Sequence, residues 1–434
     1  MSPLMTRRRR PGAVGALLGA ALALLLLGCN VGPLALLAPA PNRIAYVGTE
    51  GDLFTIRPDG TERRRLTRRG GPQEAAQRSV HFWPTWSPDG RRIAVSRTDV
   101  VDGALSRAGL YVVPADGGAP VELLAAEDEL PFFASWSPNG RSVAVLASRA
   151  GTVALHVRSA DRADGPPGPL AVGYSLYLAW APTGRTLAVH LNGDAERSPG
   201  AELLVLSVEG GRRRRLSFEP NGFRAPVYTA DGRSLVAAGA AGTGRGGLAA
   251  VPLDGRRPRV LLDGDAVPAF VLSPTGDRLA VARHVPGLSN LLEDLDVVDL
   301  ATGTVTRWDD GPFRALFWSP DGLRLAWVGA DPYEPELAWF VADGPGRARK
   351  VVEFWPNPLF EATLNFFDQY ASTQALWSPD SRQLLFVGWT ARPLITPSRV
   401  WVVDALPSAT PRTLAEGLMA SWSPAPRPGR SERR

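Results

Sequence analysis

Trp86-Ser87-Pro88-Asp89-Gly90 is the stretch that decides the fold, because it returns seven more times in altered form. The copies are Trp136-Ser137-Pro138-Asn139-Gly140, Trp180-Ala181-Pro182-Thr183-Gly184, Tyr228-Thr229-Ala230-Asp231-Gly232, Leu272-Ser273-Pro274-Thr275-Gly276, Trp318-Ser319-Pro320-Asp321-Gly322, Trp377-Ser378-Pro379-Asp380-Ser381 and a truncated Trp422-Ser423-Pro424. Successive copies are 50, 44, 48, 44, 46, 59 and 45 residues apart. That period suits a propeller blade and is too long for ankyrin or leucine-rich units. Proline presets φ, Asp or Asn bonds its own backbone and Gly accepts a positive φ, so the motif reads as a tight hairpin turn. The preceding Trp offers a broad ring for packing between neighbouring sheets.

A short apolar strand follows each turn, as at Ile93-Ala94-Val95, Leu187-Ala188-Val189 and Leu384-Leu385-Phe386. A second follows, as at Leu110-Tyr111-Val112-Val113 and Val400-Trp401-Val402-Val403, and Gly-bearing turns such as Asp254-Gly255 precede a fourth. The sequence therefore predicts an all-β chain, an eight-bladed β-propeller of four-stranded antiparallel blades, over residues 42–426. The first unit has no good first strand and the C-terminus supplies one at Ala420–Pro424. The expected closure pairs that strand with the N-terminal blade, which removes exposed sheet edges; seven blades and a partial one are the alternative.

These residues resemble the WD40-like propeller repeat of the TolB type across residues 42–426. The resemblance implies a platform that docks proteins or peptides through its faces and central channel without catalysis. Eight copies exceed the six usual in TolB itself, and no α/β domain precedes them. Propellers with this repeat also cap serine peptidases of the prolyl-oligopeptidase class, but no Gly-x-Ser-x-Gly elbow occurs in this sequence.

The 434 residues contain one cysteine, which excludes a disulfide framework, and are 44% hydrophobic, which excludes wholesale disorder. The formal charge of +5 sits at the ends, in Arg7–Arg10 and in the tail from Arg427 to Arg434. The body between is near neutral, so no nucleic-acid partner is expected. Arg7–Arg10 followed by the uncharged run Pro11–Gly28 reads as an export signal. Leu26-Leu27-Gly28-Cys29 resembles a bacterial lipobox, which implies a signal peptide over 1–28, lipidation of Cys29, a linker over 29–41 and an extracytoplasmic, membrane-anchored protein; an uncleaved anchor helix is the alternative. Each acyl chain would contribute about 0.8 kcal/mol per buried methylene.

Little else carries chemistry. His81, His156, His190 and His284 fall in different units and in no metal-binding spacing, so neither a metal nor a cofactor is expected. No phosphate loop is present. The longest interval owes its length to Glu353–Thr373, which holds Phe354, Trp355, Phe360, Phe366, Phe367 and Tyr370. Two readings stand: an anchor for an envelope protein or peptide, since such rings dominate interfaces, or a short helix packing its rings onto the propeller or covering the channel. His81, Phe82, Glu129, Arg224, Arg314, Asp368 and Trp389 are further partner-binding candidates on the same loop face. A second functional class, a lyase or hydrolase acting on saccharides, requires paired carboxylates near His81, Glu129 or Asp368.

Overall fold

A computed structural model describes residues 42–67, 77–126, 128–162, 164–165, 168–192, 200–222, 224–240, 246–392 and 396–424. The chain divides into two units, Met1–Pro39 and Ala40–Arg434, and the described residues all belong to the second. The export signal, Cys29 and the basic tail lie outside the described residues.

The strands follow the motif in chain order. Ahead of the first copy come β1 (Ile44–Val47), β2 (Leu53–Ile56) and β3 (Arg64–Arg65). Next are β4 (Gln77–Trp86), β5 (Arg92–Val101), β6 (Ala104–Pro114) and β7 (Val121–Ala126), then β8 (Leu130–Trp136), β9 (Ser142–Arg149), β10 (Thr152–Ser159) and β11 (Ala171–Gly173). The central portion runs β12 (Leu176–Trp180), β13 (Thr186–Leu191), β14 (Glu202–Ser207) and β15 (Arg213–Arg215), then β16 (Val227–Tyr228), β17 (Ser234–Ala238), β18 (Gly246–Pro252) and β19 (Arg259–Gly264). β20 (Ala269–Leu272), β21 (Arg278–Val285), β22 (Leu288–Asp299) and β23 (Val305–Asp309) precede β24 (Phe313–Trp318), β25 (Leu325–Ala330), β26 (Leu337–Ala342) and β27 (Arg349–Pro356). Two short helices come next, α1 (Pro358–Asn365) and α2 (Phe367–Tyr370), and then β28 (Gln383–Trp389), β29 (Arg399–Asp404), β30 (Arg412–Glu416) and β31 (Met419–Trp422).

Among the described residues five sheets are separate and four-stranded, with every pairing in them antiparallel. The strands from β20 to β30 form one larger sheet, because Leu292 pairs with Phe313 and Trp355 with Trp389 where one repeat passes into the next. Within it Trp377 bridges Leu384, standing where a first strand would be. The order β3-β2-β1-β31 joins the two ends of the body, with Ile44 opposite Trp422 and Val47 opposite Met419.

The turns close as their chemistry dictates. Gly90 N donates to Ser87 O at 2.8 Å, and Asp89 Oδ1 accepts from Ser87 Oγ at 2.6 Å and Arg91 N at 3.1 Å. Gly90 and Gly140 have φ of 66° and 70°, a conformation open to Gly at little cost. Each indole then reaches across to the preceding repeat. Trp136 Nε1 donates to Thr85 O, Trp180 Nε1 to Ser135 O, Trp318 Nε1 to Val271 O and Trp377 Nε1 to Phe317 O, all within 3.1–3.2 Å. In every case the acceptor is the residue just before the earlier motif. Arginines reinforce the step: the guanidinium of Arg92 lies 4.9 Å from the ring centroid of Trp136, and Arg278 and Arg324 sit likewise over Trp318 and Trp377.

The core lies between sheets and not within one. Ala45, Val47 and Leu53 pack against Trp86, Ile93 and Val113; Leu110 and Val112 pack against Trp136 and Val145; Val236 and Leu248 pack against Leu279 and Val298. The largest cluster runs from β20 through β30 back to Ile44, Tyr46 and Trp422. Full burial of an aliphatic side chain is worth about 1.5–3 kcal/mol, so these seams hold the modules together.

Candidate functional site

Because the strands of a module alternate in direction, the motif turns all lie at one end. The connections between second and third strands, and those passing to the next module, lie at the other. Neighbouring turns touch: Asn139 Nδ2 donates to Thr183 O at 3.3 Å, and Asp321 N donates to Ser381 Oγ at 3.1 Å.

The aromatic insertion starts from the loop end. Asn357 caps α1, its Oδ1 accepting from Phe360 N at 2.8 Å while its Nδ2 donates to Ser398 Oγ and Leu418 O; Pro358 has no N–H to lose at the first helical position. The segment then runs along the innermost strands. Asp368 Oδ2 accepts from Ala225 N at 3.1 Å, Gln369 Oε1 from Leu178 N at 3.1 Å, and Tyr370 Oη donates to Phe132 O at 3.3 Å. Thr85 Oγ1 donates to Thr373 O and Gln374 Nε2 to Pro84 O, at 3.1 and 3.2 Å. Rings complete the fit: Tyr370 stacks at a tilt on Trp83, centroids 4.8 Å apart, and meets Phe133 edge-on, while Phe367 meets Phe317. The insertion thus spends its polar groups on the free edges of β4, β8 and β12. It lies along the inner edges of these strands.

This separates the expected anchors. Phe360, Phe367 and Tyr370 are buried. A buried ring cannot receive a docked partner, so these three belong to the second of the two sequence readings. Phe366 is 44% exposed, and Trp355 is half-buried under Arg392. The charged candidates are engaged internally. His81 is buried with Nδ1 2.7 Å from Gly51 O, and burial lowers its pKa. Glu129 lies 2.7 Å from His156 Nε2 and 3.8 Å from Arg149. Arg314 pairs with Glu361 of α1 at 2.5 Å. Arg224 approaches Asp368 at 4.0 Å and contacts His284, and desolvation raises the pKa of Asp368 despite that guanidinium. Trp389 donates its indole N–H to Thr396 O at 2.8 Å, and Phe82 is half-buried in β4.

Glu129 and Asp368 therefore each have partners inside the fold, His156 and Arg149 for the first and Ala225 N and Arg224 for the second. Among the described residues no group of three or more His, Cys, Asp or Glu could hold a metal ion, and no helix is long and apolar enough to cross a membrane.

The loop end is nevertheless not a bland surface. Leu105, Leu130, Tyr174, Leu288 and Tyr333 stand exposed at this end, Tyr333 at 92%, and Phe366 is exposed in the insertion. A groove of about 510 Å³ opens nearby, with Pro312, Leu337 and Phe340 among its apolar lining residues and Asp309, Asp331, Glu334 and Glu336 among its acidic ones. Sequence reasoning misses Gln369 and Gln374 because an amide inside an aromatic run looks like a solvated loop residue. Their partners are backbone groups far away in sequence, which leave no local signal.

No protein family matches the sequence, and no curated protein does either. Solved structures do. An oligogalacturonate lyase in complex with manganese is similar at a TM-score of 0.51 and 15% identity, over 85% of this chain and 98% of that one. One of two prolyl endopeptidases is similar at 0.52 and 13%, over 95% of this chain and 56% of that chain, so this chain spans about half of its length. A TolB from Acinetobacter baumannii matches at 0.41 and 12% over 70% of this chain and 77% of that one. At these identities the likeness carries the fold alone, which is that of a β-propeller.

Proposed function

We propose that this chain is an eight-bladed propeller closed by the pairing of β31 with β1. Tethered outside the cytoplasm through acylated Cys29, it docks an envelope protein or peptide on its loop face without catalysing a reaction. The observation that carries the docking is Tyr333, 92% exposed at the loop end and flanked in the chain by the groove-lining Pro332 and Glu334, with Tyr174 and Leu105 exposed on other connections of that end. A large exposed ring bordering a groove with apolar lining is the kind of surface that marks an interaction site. With the insertion lying along the inner strand edges, the contact falls on the loop connections, where the groove beside Phe340 extends it.

The test is affinity capture from envelope extract with the acylated wild-type chain and with a variant carrying Tyr174→Ala, Tyr333→Ala and Phe366→Ala. A discrete protein held by the wild type and lost by the variant, at unchanged thermal stability, is expected. Retention of the same protein by the variant would place the contact elsewhere. Cys29→Ser should abolish the lipid mass increment and release the protein from membranes; release without that mass change, or neither effect, overturns the anchoring.

A further inference from the structure

The turn end has a chemistry of its own. In five of the motif turns the residue after the glycine position is arginine: Arg91, Arg141, Arg185, Arg233 and Arg382. All five are exposed; Arg141, Arg185 and Arg382 form no ion pair among the described residues, and Arg233 is felt by Asp231 of its own turn. Since consecutive turns touch, these side chains are arrayed around the same end of the molecule. The aspartates of the turns do not project with them, for Asp89 and Asp231 point back onto their own turns, accepting from Ser87 or Thr229 and from the following backbone amide. Hairpins between third and fourth strands emerge at this end too, adding exposed Arg212, Arg257 and Arg259 together with Glu209 and with Asp116, Asp161 and Asp254, which pair with Arg64, Arg92 and Arg256; Asp277, in the arginine position of its own turn, pairs with Arg278. Asp331, Glu334 and Glu336, which form no ion pair among the described residues, lie at the opposite end, in the loop-face groove that Lys350 also lines.

The body's N-terminal strand starts at the arginine-bearing end. Ser423 N donates to Arg43 O at 2.8 Å, and Arg43 N donates to Ser423 Oγ at 3.2 Å, beside the eighth motif copy. Cys29 is fourteen positions upstream, which a fully extended chain spans in at most about 50 Å.

We propose that the turn face lies against an anionic phospholipid surface, the arginines contacting headgroup phosphates while the loop face is turned outward to its partner. The proposal rests on the acyl-anchoring reading. The tether holds this end near a bilayer, and each basic residue close to an anionic leaflet favours contact by roughly fivefold. Arginine suits the role because its planar fork pairs with two phosphate oxygens at once.

The experiment uses the full acylated chain in vesicles of phosphatidylcholine alone and of phosphatidylcholine with phosphatidylglycerol, both doped with a spin-labelled headgroup. Leu323→Cys, which occupies the arginine position of its own turn, and Tyr333→Cys give fluorophore sites at the two ends; acylation of Cys29 leaves the introduced thiol the only reactive one. Quenching at position 323 but not 333, confined to anionic vesicles and lost at about 1 M salt, where the Debye length is about 3 Å, is expected. Reversing Arg141, Arg185 and Arg233 to Glu should lower the docked-to-free ratio by at least 100-fold, and Gln at the same positions should give an intermediate loss without altering the melting curve. Equal quenching at both positions, quenching at 333, or indifference to lipid charge overturns the orientation. Failure of the protein to float with either vesicle overturns the anchoring instead, so the two failures are distinguishable.

Discussion

Trp86 Nε1 donates to Ser421 O at 3.1 Å, joining residues 335 positions apart in the same way that Trp136 joins Thr85 and Trp377 joins Phe317. The first motif thus treats the last as its predecessor. Trp86→Phe should keep most of the buried ring and lose only the donor, costing about 1 kcal/mol, whereas Trp86→Ala should cost about 3–5 kcal/mol through the cavity left behind. Urea titration of both variants checks this. If Trp86→Phe matched Trp86→Ala, the hydrogen bond and not the ring would be holding the seam.

Ser381 stands where other copies carry Gly and has φ of 61°. Its Oγ accepts from Asp321 N in the neighbouring turn, so the residue offsets its backbone strain with a contact that glycine cannot make. Ser381→Gly removes both and should change stability by less than about 0.5 kcal/mol. Ser381→Ala keeps the strain and loses the acceptor, and should be less stable than the glycine variant by about 1 kcal/mol. Equal stability of the two variants in denaturant would show that the turn does not resist a Cβ here.

The motif and its spacing made the antiparallel sheets and their turns legible before any coordinates, because turn chemistry is local. So were the apolar second and third strands, whose residues alternate between two covered faces. What escaped was whatever depends on a neighbour brought near by the fold. Arg92, Arg278 and Arg324 read as surface charge, yet they stack on the indoles of the next repeat. Phe366 and Phe367 are adjacent and chemically identical, and only the direction of α2 makes one exposed and the other buried.

That pair supplies a direct comparison. Phe367→Ala should destabilise by about 3–5 kcal/mol because its ring meets Phe317 inside the largest core cluster. Phe366→Ala should stay within about 0.5 kcal/mol of the wild type, and under the proposed docking it should weaken partner capture. Thermal melts of the two variants side by side give the answer; a stable Phe367→Ala protein would mean that the insertion contributes little to the core.

The buried histidines set a pH window. Burial lowers the pKa of His81, of His156 and of His190, so the folded state takes up their protons less readily than the unfolded chain does. Stability from these groups is complete above the unfolded value near 6.5 and is lost as pH falls through it toward the folded pKa values. His81→Asn, which retains a donor for Gly51 O, should therefore flatten the fall in stability on acidification below about pH 6.5. An unchanged slope in denaturation curves across that window would clear His81 of the effect.

Asp368 runs in the opposite sense. Desolvation raises its folded pKa above the unfolded one, so this carboxylate weighs against the folded state as pH rises through and above that interval. Asp368→Asn keeps an acceptor for Ala225 N and removes the buried charge. The variant should match the wild type in acid and become the more stable of the two at neutral pH, with melting temperatures diverging as pH increases. Should Asp368→Asn instead melt lower at neutral pH, the attraction of Arg224 at 4.0 Å outweighs the cost of burying the carboxylate, and the insertion is held in place by charge.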